Sequence, residues 1–73
     1  MGLSDDKKFL KAIGQKINKI RKEKKVSFQE LSYITGIEKS NIVKLTTKGS
    51  NITMTTFNRI AQGLGVSAKE LFP

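Results

Sequence analysis

Four segments of this chain open with the same local signature, and that repetition limits the fold more than any other feature. Ser27-Phe28-Gln29-Glu30 is a capping box, in which a Ser and a Glu three residues on satisfy two helix-opening amides reciprocally. Val26 before it and Leu31 after it stand where a hydrophobic staple places apolar residues. Ser67-Ala68-Lys69-Glu70 repeats the box, stapled by Val66 and Leu71. Thr53 can cap a further helix stapled by Ile52 and Phe57. Ile37 and Ile42 would staple one that opens after Glu38, although Glu is a poor cap. One such match arises often by chance. Four in register, each opening a segment of helix length, commit the chain to short helices.

The N-terminal helix is longer. Phe9, Ile13, Ile17 and Ile20 recur at steps of four, four and three, with Leu10 beside them, and lysines 8, 11, 16, 19 and 22 flank the stripe. Ser4 is the expected cap, with Asp5 and Asp6 in the first turn and Lys24 and Lys25 at the end, as the helix dipole favours. The spacing predicts five helices at about 5–24, 28–35, 39–47, 54–63 and 68–72, with no strand, repeat or linker. The expectation is an all-α single domain over residues 1–73. At 73 residues its core is small and rests on a few apolar side chains, Met54 among those expected inside.

Composition removes several function classes. The chain has no Cys and no His, so disulfides, the usual zinc ligands and the usual general base are all missing. Ser27 and Ser67 are caps rather than nucleophiles, since nothing stands ready to activate them. No enzyme, metal or cofactor is expected, and no small-molecule ligand is evident. No apolar run approaches the roughly 18–20 residues of a membrane span, and a cytoplasmic, nucleoid-associated protein is expected. Charge is more informative: 14 Lys and Arg face 6 Asp and Glu, a net +8, and residues 1–25 hold nine of the bases and three of the acids. Such a domain associates with polyanions, nucleic acid ahead of acidic membrane, although a merely solvated basic face fits the composition equally well.

The break at Gly36 gives the charge a purpose. In 28–35, Leu31 and Thr35 face inward with Ser32; in 39–47, Ile42 and Leu45 face inward and Ile37 joins them from the turn. Two helices joined by so few residues cross steeply and approach closely, which a small Ser32 permits. Gly36 can take the left-handed conformation that ends the first helix. The second helix then keeps one face uncovered: Lys39, Ser40, Asn41, Lys44, Thr47 and Lys48, with no large apolar side chain. A short helix held proud of a basic body fits the DNA major groove.

Leu31-Ser32, Gly36, Ile37, Ile42 and Leu45 resemble the skeleton of a helix-turn-helix. More widely, IGQKINKIRKEKKVSFQELSYITGIEKSNI and ITMTTFNRIAQGLGVSAKELF resemble the Cro/cI-type (XRE) family of phage repressors and small bacterial regulators, over roughly residues 10–72. The resemblance implies a compact five-helix domain of the lambda-repressor-like type that binds double-stranded DNA and regulates transcription. By position, it implies that Lys39, Ser40 and Lys44 read bases; the two lysines suit guanine O6 and N7 and so a G-containing half-site. Asn41, Thr47, Lys48 and Asn51 are placed to touch phosphates, and the amides of Phe28 and Gln29 open an anion-binding helix end. No effector domain is expected beyond this module, and control by concentration, partner or site competition is expected with it.

Three positions depart from the family pattern. Phe28 stands where Gln is usual, and Thr46 stands where a Glu commonly pairs with the arginine corresponding to Arg21. That leaves Arg21 to find another partner, with Glu23 or Glu30 as candidates, or to turn to solvent or DNA. Lys48 and Ile52 replace a common Gly and Pro in the next loop. These departures keep open a second reading, a helix-turn-helix turned protein-binding module of antitoxin or anti-repressor type. Membrane-surface binding through the basic N-terminal helix is a third, opposed by the need of its apolar stripe for the core. Lastly, Val66, Leu71 and Phe72 crowd a terminal segment too short to bury them all, with Leu64 just before it, and predict a homodimer interface there and a palindromic operator.

Overall fold

The apolar stripe of the N-terminal third forms α1, Leu3–Glu23, in the computed structural model, which describes residues 3–73 and side chains from residue 6 onward. Ser4, expected as the cap, therefore lies within the helix. Ile13, Ile17 and Ile20 are buried, whereas Phe9, at the head of the stripe, is 47% exposed. The helix ends in a Schellman pair: the Val26 amide donates to the Arg21 carbonyl and the Lys25 amide to the Lys22 carbonyl, each at 3.0 Å. This closure needs a left-handed residue, and Lys25 supplies it with φ 58°.

Three further α-helices follow: α2 at Phe28–Thr35, α3 at Lys39–Lys48 and α4 at Met54–Leu64. Ser27 Oγ accepts from the Glu30 amide at 3.0 Å and Glu30 Oε1 accepts from the Ser27 amide at 3.2 Å, so the first capping box is complete. Thr53 Oγ1 accepts from the Thr56 amide at 3.1 Å. Glu38 caps α3 without its side chain, its carbonyl taking the Asn41 and Ile42 amides.

The fifth expected helix is instead a single 3-10 turn, Ala68–Leu71. Its amides bond three residues back, Glu70 to the Ser67 carbonyl and Phe72 to the Lys69 carbonyl. A segment this short gains little from an α-type ladder, which rewards only longer runs. The Glu70 carboxylate still reaches back to accept from the Ser67 amide at 2.9 Å.

The largest fully buried side chains are Ile17, Leu31, Ile42, Ile60 and Leu71, one from each segment. Burying each contributes about 1.5–3 kcal/mol, so even the terminal turn is tied to the centre. Leu64 and Leu71, expected at an intersubunit face, are 3% and 0% exposed and belong to this core. Met54, expected inside, is 71% exposed: it shares the phase of Phe57, Ile60 and Leu64, but sits one turn beyond the end of the core. Among the described residues no helix is long and apolar enough to cross a membrane.

What fixes α3 is a backbone contact with α1. A Cβ added at Gly14, mid-way along α1, would lie 2.2 Å from the Leu45 carbonyl oxygen. One added at Gly49, just past α3 with φ +71°, would lie 2.7 Å from Lys11 Cα. Two glycines thus let α3 rest directly on α1.

Candidate nucleic-acid interface

The tight turn between α2 and α3 is built by side chains as well as by Gly36. Gly36 takes φ 73° and donates to the Ser32 carbonyl at 2.9 Å. Ser32 Oγ then donates to the Ile37 carbonyl at 2.6 Å. Thr35 Oγ1 donates to the Leu31 carbonyl at 2.7 Å and accepts from the Ile37 amide at 3.2 Å. Ser32 is therefore a clamp on the turn as well as a small residue. Buried backbone groups that the reversal frees from helix bonding are met locally, as a buried turn requires.

This turn and the α1 contact divide α3 into two faces. Ile42, Leu45 and Thr46 are buried, and Lys39, Ser40, Asn41, Lys44, Thr47 and Lys48 are all exposed. The proposed readers Lys39, Ser40 and Lys44 share that outward face with Asn41 and Lys48. Asn51, exposed in the next loop, joins Asn41 and Lys44 along one cleft beside the helix, with Ser50 and Thr53. Thr47 is differently placed: its Oγ1 donates to the Val43 carbonyl at 2.8 Å. A phosphate oxygen only accepts, so Thr47 has no proton to offer it until that bond rotates away.

At the start of α2, Phe28 and Gln29 contribute two of the helix-opening amides that lack a partner within the helix. The Glu30 carboxylate folds back onto the same end, and its charge opposes an anion there. The Phe28 side chain is half-buried against the core. Above its ring, at 3.9 Å from the centroid, lies the Arg21 guanidinium, a cation–π pair. Arg21 also donates through Nε and Nη2 to Asn18 Oδ1, at 3.1 and 2.8 Å, and through Nη1 to the Val26 carbonyl at 2.8 Å. Neither Glu23 nor Glu30, the expected partners, takes part in these bonds. Thr46, in the place of the family Glu, is buried and donates to the Val43 carbonyl at 3.0 Å. An aromatic face, an amide and a carbonyl thus serve Arg21, and Thr46 is occupied within its own helix.

Three contributors escape a reading of the sequence. Gly14 carries a usable signal, because a glycine inside a helix costs about 1 kcal/mol relative to Ala and so marks a close approach. Asn18 stands one turn before Arg21, a spacing too common to single out. The Ser32 hydroxyl has no local signal, since its acceptor Ile37 becomes a neighbour only once the chain turns.

The class defined by this turn and this outward helix is the helix-turn-helix. The helix-turn-helix domain family matches residues 14–73, and the chain belongs to that family, in its DNA-binding Cro/cI (XRE) type. Among solved structures, it is similar to the restriction-modification controller protein C.AhdI from Aeromonas hydrophila, with 24% identity and a TM-score of 0.82. The match covers 86% of this chain and 96% of that one. A search of curated proteins finds no match.

Proposed function

We propose that this protein is a sequence-specific, double-stranded DNA-binding transcriptional regulator that inserts α3 into the major groove. The observation that carries the reading is the division of α3: one face locked into the core, the other wholly polar, with three lysines and no acid. Lys39, Ser40 and Lys44 read base edges; Asn41, Lys48 and Asn51 hold phosphates and set the register. The fold shared with a restriction-modification controller supports the regulator role. Two copies bind together on an inverted repeat, with their reading helices about 34 Å apart. The partner-module alternative drew on Phe28 and Thr46; Phe28 lies beneath the Arg21 guanidinium, and Thr46 is buried with its hydroxyl on the Val43 carbonyl, so each has a role within the fold.

Selection of bound sequences from random duplex DNA, followed by a salt titration, tests the proposal. An inverted repeat should emerge, and affinity should fall steeply between about 50 and 200 mM salt. No binding to any duplex at low salt would refute it.

A further inference from the structure

At three helix ends the chain turns through a left-handed glycine: Gly36 after α2, Gly49 after α3 and Gly65 after α4. The end of α1 is different. Lys25, exposed and at φ 58°, is the one non-glycine residue with a positive φ among the described residues. An L side chain is crowded in that conformation, and glycine is not. Residues held there cluster at ligand-binding positions, where the strain is tolerated for what the side chain does. The dipole of α1 does not call for Lys25, because Lys22 and Lys24 already stand at the same helix end.

We propose that Lys25 is a DNA phosphate-binding residue, kept where glycine would be more stable because its charge anchors the α1–α2 corner to the duplex backbone. The inference rests on the DNA-binding reading above and adds a contact to it. Position supplies the first argument. Gly14 packs on Leu45 and Thr46, and Gly49 packs on Lys11, so α1 and α3 run antiparallel. The first turn of α3, with Lys39 and Ser40, therefore lies toward the end of α1 that carries Lys25. A duplex whose bases meet Lys39 and Ser40 brings its bordering phosphates toward that corner.

Rigidity supplies the second argument. The Lys25 amide donates to the Lys22 carbonyl and the Val26 amide to the Arg21 carbonyl, each at 3.0 Å, and Arg21 Nη1 donates to the Val26 carbonyl at 2.8 Å. The backbone that carries the charge is thus fixed before binding, which lowers the ordering cost of the contact. Charge supplies the third. Residues 21–25 hold four bases and one acid, and Arg21 donates to the Asn18 side chain and a carbonyl rather than to a carboxylate. The corner therefore keeps a positive potential for phosphate to meet.

The test compares Lys25→Gly, Lys25→Gln and Lys25→Arg in the full chain, with Lys19→Gln as a control for net charge. Lys19 is exposed and lies five residues beyond Gly14, about 140° round α1 from the face that meets α3. Binding is measured to a single half-site duplex recovered by selection and to a random duplex, at low and moderate salt, beside a thermal melt. Losing one phosphate contact lowers the slope of log affinity against log salt by about 0.9. Lys25→Gly and Lys25→Gln should therefore each bind both duplexes roughly tenfold less tightly at about 50 mM salt and about fourfold less tightly at about 200 mM. Lys25→Gly should also melt higher, by about 4–8 °C, so that the more stable protein is the weaker binder. Lys25→Arg should match the wild type in affinity and slope, and Lys19→Gln should keep the wild-type slope. A Lys25→Gln variant with the wild-type slope, or one that loses no more than Lys19→Gln, would overturn the proposal. So would a loss confined to Lys25→Gly, which would trace to the altered backbone rather than to charge. A wild type that binds no duplex at low salt would refute the DNA-binding reading and this contact with it. Wild-type binding that every Lys25 variant shares would remove this contact alone and leave that reading standing.

Discussion

Gly14→Ala is the substitution on which local and tertiary reasoning disagree most sharply. In an isolated helix, replacing an interior Gly by Ala stabilises by about 1 kcal/mol. In this fold the new Cβ would sit 2.2 Å from the Leu45 carbonyl oxygen, 1.2 Å inside the 3.4 Å at which ordinary contact begins. It would also meet Thr46 Cα at 3.2 Å. Both neighbours are backbone, so no side chain can rotate aside; α3 must move away from α1. Forced repacking of this kind costs about 3 kcal/mol or more, which outweighs the propensity gain and leaves a net loss of at least about 2 kcal/mol. For a domain of this size that loss lowers Tm by roughly 8–16 °C. A thermal melt followed by circular dichroism measures it. A Tm at or above wild type would show that α3 does not rest on α1 as described, and would undo the account of how α3 is held.

Lys25→Gly should raise stability by about 1 kcal/mol in a denaturant titration, because Lys25 is exposed and already left-handed, a conformation that Gly adopts without steric cost. Thr46→Glu should lower stability by on the order of 3 kcal/mol, since it buries a carboxylate while Arg21 is held by Asn18 and Val26; a melt above wild type would mean that Arg21 readily exchanges partners. Lys39→Ala and Lys44→Ala should each cost about 1–3 kcal/mol at the base pair read and relax preference there, whereas Lys48→Ala should weaken selected and random duplexes alike. Equal losses on both kinds of duplex for all three lysines would remove the distinction between reading and positioning.

Features that depend on neighbours in sequence were legible, and those that depend on the closed fold were not. The starts of α2, α3 and α4 can be read because caps and staples act within five residues, and the outward face of α3 follows from helical phase once Ile42 and Leu45 point inward. The terminal segment carries the same signature yet forms only a 3-10 turn, because a box marks a start and says nothing of length. Counting apolar residues near the C-terminus overstated the free surface: Leu64 and Leu71 are consumed by the core, while Phe9, placed inside by periodicity, and Met54, also expected there, emerge at its edge. The surroundings of Arg21 were illegible for a similar reason. Asn18, Val26 and Phe28 converge on it only after α1 has ended and the chain has reversed at Lys25.

The contact of α3 with α1 through Gly14 and Gly49 has a consequence for how such a protein can change its target. Because the seat of the helix is made of main chain, none of the six outward residues of α3 takes part in holding it. On the proposed reading, those six positions form an exchangeable cassette: they can drift, or be rewritten by design, to address a new operator while the scaffold beneath keeps the same pose. A duplicated copy could thus part from its parent in specificity within a few substitutions, with little penalty in folding to slow the divergence.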